Sequence, residues 1–301
     1  MPCYHPIEIW KYLHGPNRGE VTLKRPWRAS QDWDGHNHFF VPCGKCVGCR
    51  LRRSREWAVR IMHERRYHDE ACFITLTYDP EHLPADGSLD KKHLQDFWKR
   101  LRSKVGKVRY FACGEYGTNL GRPHYHAAVF GWTPPDVVAC GFGGNGDRIY
   151  SSAFLDSVWT YGKTVVGELS FASAAYVARY VTKKVYGDDS ESHYNGKVPE
   201  FLVMSRRPGI GETFTSDYGK QLLNNDFVVI DNQRFNLPRY YDKKIALQDE
   251  IQYGNIKAER VRKALAVPRD APSRLAQREL YRTLKSKLLE RGFENGTNHD
   301  F

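Results

Sequence analysis

Residues 121–131 read GRPHYHAAVFG. The apolar run after Pro123 predicts a strand over His124–Phe130, and proline helps hold its entry extended. Alternate side chains of a strand share a face, so His124 and His126 point the same way. Two imidazoles on one face can bind one cation together. They can equally be two half-exposed strand histidines. A second such pair, His36 and His38, lies in the same chain, so the spacing alone leaves both readings open.

Working outward, Cys72–Tyr78 and Val108–Cys113 read as two further strands. The loop that follows the second, GEYGTNLGRP, carries Glu115 at its mouth. A hairpin-like return would bring Glu115 beside His124 and His126. One carboxylate and two imidazoles leave coordination positions open for phosphate oxygens and water, a set that can polarise a phosphodiester through a divalent ion. Between the strands, Leu94, Phe97, Trp98, Leu101 and Val105 recur at helical spacing, with Asp90 to cap the helix and Gly106 to end it. A short helix near 152–160, a strand near 164–171, a helix from Ser173 to about Val185 and a last helix from Ser273 to Gly292 complete the pattern. Helices and strands alternate irregularly, which predicts an α+β fold with an antiparallel sheet.

The helix after Ser173 contains AYVARYVTKK, residues 175–184. Tyr176 and Tyr180 are four apart and share one helix face. Each is followed three positions later by a base: Arg179 after Tyr176, Lys183 after Tyr180. A cation so placed can stabilise a developing phenolate or a scissile phosphate. The same spacing also suits an amphipathic helix that buries two aromatics.

Near the N-terminus, PCGKCVGC at 42–49 packs Cys43, Cys46 and Cys49 at two-residue spacing. Thiolates in that pattern are tetrahedral zinc ligands. Cys3 is the first choice for the fourth ligand, with His5, His36 and His38 as substitutes. A helix is expected from about Glu56. Cys72, Cys113 and Cys140 read as packing residues in or near strands.

Composition narrows the partners. Lys and Arg number 46 against 35 acids, a net charge of +11. The excess concentrates beside the cysteines, in Lys45, Arg50, Arg52, Arg53, Arg55, Arg60, Arg65 and Arg66, which suits phosphate contacts. Seven cysteines in no secreted framework fit a reducing compartment. No apolar run reaches the length of a membrane span, and no secretory signal opens the chain. The triplet Gly162-Lys163-Thr164 ends like a nucleotide-binding loop, but Ser157 stands where its first glycine belongs. No NTPase is expected, so duplex unwinding falls to a separate helicase.

In order, FITLT at 73–77, GRPHYHAAVFG at 121–131 and AYVARYVTKK at 175–184 resemble the three motifs of the HUH endonucleases that initiate rolling-circle replication. The two-tyrosine helix resembles the initiators of the Microviridae. PCGKCVGC and CGEYG (113–117) are most similar to their gokushovirus branch. The resemblance implies an HUH-like antiparallel sheet flanked by helices, with an N-terminal zinc-bearing extension. It implies Mg²⁺ or Mn²⁺ on His124 and His126, with Glu115 as third ligand. It implies Tyr176 and Tyr180 as alternating nucleophiles, assisted by Lys183 and Arg179. It also implies single-stranded and origin DNA as substrate, a host polymerase that extends the free 3′ end, and the host bacterium's cytoplasm as location. Arg50, Arg52, Arg53 and Arg55 are the expected DNA contacts. Tyr125 stands where the family usually has a bulky apolar residue, and Arg179 where a lysine is expected. The FITLT strand is expected to be structural or to contact DNA.

The chain is thus divided into a zinc-binding basic region (1–70), a catalytic core (71–190) and a C-terminal region without a matched motif (191–301). Three other readings compete. A conjugative relaxase or transposase would share the superfamily, but a relaxase's three-histidine cluster and N-terminal tyrosine are absent. A non-catalytic zinc-dependent DNA-binding protein would keep the tyrosines and histidines as core. A zinc phosphodiesterase would need no covalent intermediate.

Overall fold

The computed structural model describes residues 3–12, 16, 18–24, 38–117, 120–143, 146–179, 185, 189–268 and 270–289. The chain divides into two compact units, residues 1–52 with 269–286, and residues 53–268 with 287–301.

In the first unit, Ile7–Lys11 (β1) pairs antiparallel with Val21–Thr22 (β2) and His38–Val41 (β3). Trp10 is buried, and its indole stacks on the His38 ring at 4.4 Å. The chain then turns at Gly44, which needs its positive φ of 76°, and enters the helix Val47–Arg65 (α1). That helix starts nine residues before the expected Glu56, because the cysteine turn runs straight into it. The Arg50 amide already bonds back to the Cys46 carbonyl at 3.0 Å. The last helix, Pro272–Leu289 (α9), places Leu275 against the buried Cys46 and Cys49.

The second unit is built on a seven-stranded antiparallel sheet. Its strands are Ala71–Thr77 (β4), Arg109–Tyr116 (β5), Pro123–Phe130 (β6), Val138–Phe142 (β7), Arg148–Ser151 (β8), Thr164–Glu168 (β9) and Phe201–Met204 (β10). Their order is β10-β5-β6-β4-β9-β8-β7, so β6 lies inside the sheet between β5 and β4. The edge strand β10 comes from beyond residue 190. Residues 141 and 142 end β7, and Cys140 beside them is exposed rather than a packing residue.

Each face of the sheet has its own core. Tyr125, Ala127 and Val129 of β6 face Lys91–Val105 (α2) and Ala153–Val158 (α3), through Leu94, Phe97, Leu101, Leu155 and Val158. Asp90 caps α2 as expected, accepting from the Lys92 and His93 amides. Ala128 and Phe130 of β6 face α1 and Phe171–Arg179 (α4), through Ala58, Ile61, Ala174, Tyr176 and Val177.

After Asp189–Tyr194 (α5), the helices Glu212–Asn225 (α6) and Arg239–Ile245 (α7) and the hairpin Phe227–Ile230 (β11) with Gln233–Asn236 (β12) form a third core around Val59 of α1. The helix Glu250–Leu265 (α8) follows. Among the described residues, no helix is long and apolar enough to cross a membrane.

Candidate metal centre and tyrosine helix

Strand register assembles the centre. On β5 and β6, Glu115 pairs with His124, and Cys113 with His126. On β4, Thr77 pairs with His124 and Thr75 with His126. The alternation of three neighbouring strands therefore turns Glu115, His124, His126, Thr75 and Thr77 to one face. Glu115 is not the exposed loop acid that the turn-rich sequence permits. It lies within β5 and is fully buried.

One carboxylate oxygen, Glu115 Oε1, lies 2.6 Å from His124 Nε2 and 3.0 Å from His126 Nε2. Burial by itself would raise the Glu115 carboxyl. The neighbouring imidazoles, His124 above all, outweigh it and hold the group down to about 2. The far ring nitrogens are engaged as well. His124 Nδ1 donates to the Arg122 carbonyl at 3.1 Å, and His126 Nδ1 lies 2.9 Å from Thr75 Oγ1. Donors of all three side chains lie within 4.8 Å of one another. A hard carboxylate with two neutral imidazole nitrogens suits a divalent cation, so the group fits the ion that the resemblance implies.

The tyrosine helix α4 crosses this face. It begins at Phe171, earlier than the expected Ser173. Ser170 and Ser173 cap it reciprocally: the Ser173 amide donates to Ser170 Oγ at 3.2 Å, and the Ser170 amide donates to Ser173 Oγ at 2.9 Å. The Tyr176 ring packs edge-on to the His126 ring, with centroids 5.1 Å apart, and near Phe73 at 6.3 Å. Tyr176 is only 2% exposed. The Arg179 guanidinium sits 5.3 Å from the Tyr176 ring centre. Tyr180 and Lys183 lie outside the described residues.

A second donor group stands in the N-terminal unit. The thiols of Cys3, Cys43, Cys46 and Cys49 lie within 4.8 Å of one another. Amides already point at sulfur: Cys43 N–H at Cys3, Cys46 N–H at Cys43 and Tyr4 N–H at Cys46, at 3.2, 3.3 and 3.4 Å. Burial pushes the Cys49 thiol up to about 12. For Cys43 burial also raises the thiol, but the Cys46 and Lys45 amides prevail and lower it to about 7. Four sulfurs in this arrangement can hold a metal ion. Of the proposed substitutes for Cys3, His38 stacks on Trp10 and pairs with Glu8, while His5 pairs with Glu279 at 2.6 Å. His36 lies outside the described residues.

The basic helix is only partly a surface. Arg52, Arg53 and Arg55 are exposed on α1, and Arg50 is half-buried with its Nε donating to the Lys45 carbonyl at 2.6 Å. Arg60 is not a surface cation. It is buried between the Trp57 and Tyr240 rings, 3.9 and 3.8 Å from their centres, and donates to the Ile210 carbonyl.

Comparison with known proteins brackets the same region. Residues 71–185 match the family of replication-associated protein ORF2/G2P. The segment runs from β4 past α4 and so contains Glu115, His124, His126 and Tyr176. The chain is 32% identical over 282 residues to replication-associated protein ORF2 of Spiroplasma virus 4, covering 86% of each protein. The chain belongs to the replication-associated proteins of the Microviridae. It is also 35% identical over 214 residues to replication-associated protein VP4 of Bdellovibrio phage phiMH2K, covering 67% of this chain and 66% of that one. Against replication-associated protein ORF4 of Chlamydia phage 1 it is 36% identical over 225 residues, 56% of that protein's length. No solved structure matches this replication-associated protein.

The sequence did not point to Thr75 or the Arg122 carbonyl as partners of the imidazoles. The TLT alternation puts Thr75 on a face, but only the β4–β6 register says whose face it is.

Proposed function

We propose that this replication-associated protein starts rolling-circle replication by nicking origin DNA with a tyrosine. The observation that carries the reading is the packing of Tyr176 against His126, a member of the buried carboxylate–imidazole group. Glu115, His124 and His126 would hold Mg²⁺ or Mn²⁺. The ion would supply polarisation of the scissile phosphate. Tyr176 or Tyr180 supplies the first nucleophile: its oxygen bonds to phosphorus, the bond to the 3′ oxygen breaks, the phenolic proton passes to water, and the leaving oxygen takes up another. The products are a 5′-phosphotyrosine and a free 3′-hydroxyl for a host polymerase. Arg179, and Lys183 beside the second tyrosine, steady the developing negative charge. The other tyrosine then cleaves the regenerated origin. The 3′-hydroxyl released in that step attacks the first phosphotyrosine and closes a single-stranded circle. Each transfer conserves the phosphodiester, so no nucleotide is consumed, and a host helicase opens the duplex.

In this reading residues 71–190 are the catalytic core. Cys3, Cys43, Cys46 and Cys49 would hold structural Zn²⁺ as thiolates, and so tie the N-terminal strand region to the start of α1. Arg50, Arg52, Arg53 and Arg55 contact DNA phosphates. The protein works in the cytoplasm of the bacterial host.

The burial of Tyr176 supports a second reading, in which the tyrosine is core and the protein is a non-catalytic zinc-dependent DNA-binding protein. A denaturing gel separates the two. Full-length protein is mixed with circular single-stranded DNA carrying its own origin and Mn²⁺, beside Tyr176→Phe, Tyr180→Phe and the double variant. A metal-dependent covalent adduct lost only in the double variant supports two alternating nucleophiles. Loss in one single variant keeps the nickase and removes the alternation. No adduct from folded, metal-loaded protein supports the second reading.

A further inference from the structure

Both candidate metal-binding imidazoles are held from behind, but by different kinds of group. His124 Nδ1 faces the Arg122 carbonyl, which can only accept a hydrogen bond. That fixes a proton on Nδ1, so that Nε2, which faces the Glu115 carboxylate at 2.6 Å, is the nitrogen that would give up its proton to a cation. His126 Nδ1 faces a hydroxyl, Thr75 Oγ1, at 2.9 Å. A hydroxyl can donate or accept, so this contact holds the ring plane under either tautomer and adopts the accepting role once Nε2 takes a cation.

The placement is specific. Thr75 and His126 are direct cross-strand partners on β4 and β6, and Thr75 is half-buried. A β-branched side chain in a strand has few χ1 choices, which aims the hydroxyl. Thr77 is the matching partner of His124, yet its hydroxyl turns away and donates to the Lys163 carbonyl at 3.0 Å. Two threonines of one motif, on one face, therefore do different work.

We infer that Thr75 is a positioning residue for the metal centre, holding the His126 ring so that Nε2 meets the cation, whereas Thr77 ties β4 to the residue before β9. The inference rests on the reading of Glu115, His124 and His126 as a divalent-cation site. It assigns to the FITLT motif a role in metal affinity rather than in contacting DNA.

The test is direct binding of Mn²⁺, followed by electron paramagnetic resonance, to the full-length chain. Thr75→Val keeps the shape and removes the hydroxyl. Its Mn²⁺ dissociation constant should rise about tenfold, the lower end of what loss of a supporting hydrogen bond to a ligand costs. Thr75→Ser should restore affinity to within about threefold, and Thr77→Val should stay near wild type. Nicking by Thr75→Val should recover as Mn²⁺ is raised, since the lesion is in occupancy. His124→Ala serves as the control for the site. If His124→Ala loses Mn²⁺ while Thr75→Val binds like wild type, the role of Thr75 is overturned and the metal site stands. If His124→Ala also binds like wild type, the metal site falls and the inference with it. Thr75→Ala is measured in parallel, so that a folding defect of one variant does not decide the matter.

Discussion

Tyr125 and His126 are neighbours on β6, yet they serve opposite faces of one sheet. Tyr125 points into the α2 side. Its hydroxyl lies 2.8 Å from the Tyr78 hydroxyl, donates to the Asp90 carbonyl at 2.8 Å and accepts from the Asp90 amide at 2.9 Å. Asp90 is the cap of α2, so the middle residue of the His-Tyr-His run fastens the helix that covers that face. Nothing there has an open coordination position. On the other face, His124, His126 and Glu115 concentrate three ligand atoms around one small volume. The contrast teaches how a strand buried on both sides can serve two purposes: one face fastens a helix cap through a hydroxyl network, and the other gathers a carboxylate and two imidazoles that bond to one another and could hold a metal ion.

The sharpest way to break this contrast is His126→Ala. If the α4 side is the chemical face, covalent adduct formation on origin DNA should fall by on the order of 10³-fold, the scale of losing one electrostatic stabiliser of a transition state. Tyr125→Phe, one residue away, should leave Mn²⁺ affinity and adduct formation near wild type. A large loss in Tyr125→Phe, or retained activity in His126→Ala, would abolish the division of labour between the faces.

Tyr125→Phe should instead register as stability. It removes one hydroxyl and strands three partners in a buried setting, at a cost of about 1–3 kcal/mol. Urea unfolding of metal-free protein measures it. An unchanged midpoint would mean that the hydroxyl is replaceable by water and that the latch on α2 is weak.

How far the sequence carries depends on which interactions are local. Strand alternation over 124–130, the Asp90 cap and the apolar stripe of α2 are short-range patterns, and each is found where periodicity places it. Glu115 was legible as an acid at the entrance to a return. Its depth in β5 was not, because Gly114 reads as a turn. The structure gives the reason for that glycine: a Cβ there would come within 2.9 Å of the Phe201 ring and 3.0 Å of the Leu89 side chain. Phe201 belongs to β10, nearly ninety residues downstream, and no local pattern announces that pairing. Arg60 was misread for the same cause, since Tyr240 and Ile210 close around it from far along the chain. The start of α1 was hidden by Gly44 and Gly48, residues that signal turns more often than a helix beginning. In each case the missing information was tertiary.

The far end of the face that carries Glu115 offers the smallest test. Arg109 shares that face of β5 with Phe111, Cys113 and Glu115, and its guanidinium donates to Glu64 of α1 at 2.5 Å. Glu64 also accepts from the Gly211 amide at 2.7 Å and lies 3.4 Å from His68. Burial would raise its carboxyl, but the bonds from His68, Arg109 and Gly211 lower it below the ordinary value of 4.5. A carboxyl held lower in the folded chain than in the unfolded one contributes stability that is fully present above pH 4.5. That contribution fades as the pH falls toward the folded value, because the unfolded chain takes up the proton first. Thermal melts from pH 6 to pH 3 should therefore show a shallower acid limb for Glu64→Gln than for wild type, together with a lower plateau at neutral pH from the disrupted buried pair. Parallel limbs would mean that the carboxyl is held no lower in the folded chain than in the unfolded one. In that event the ion pair orders α1 against β5 without adding pH-dependent stability, and the two ends of this face would differ in kind: a carboxylate strongly held at Glu115, and one merely accommodated at Glu64.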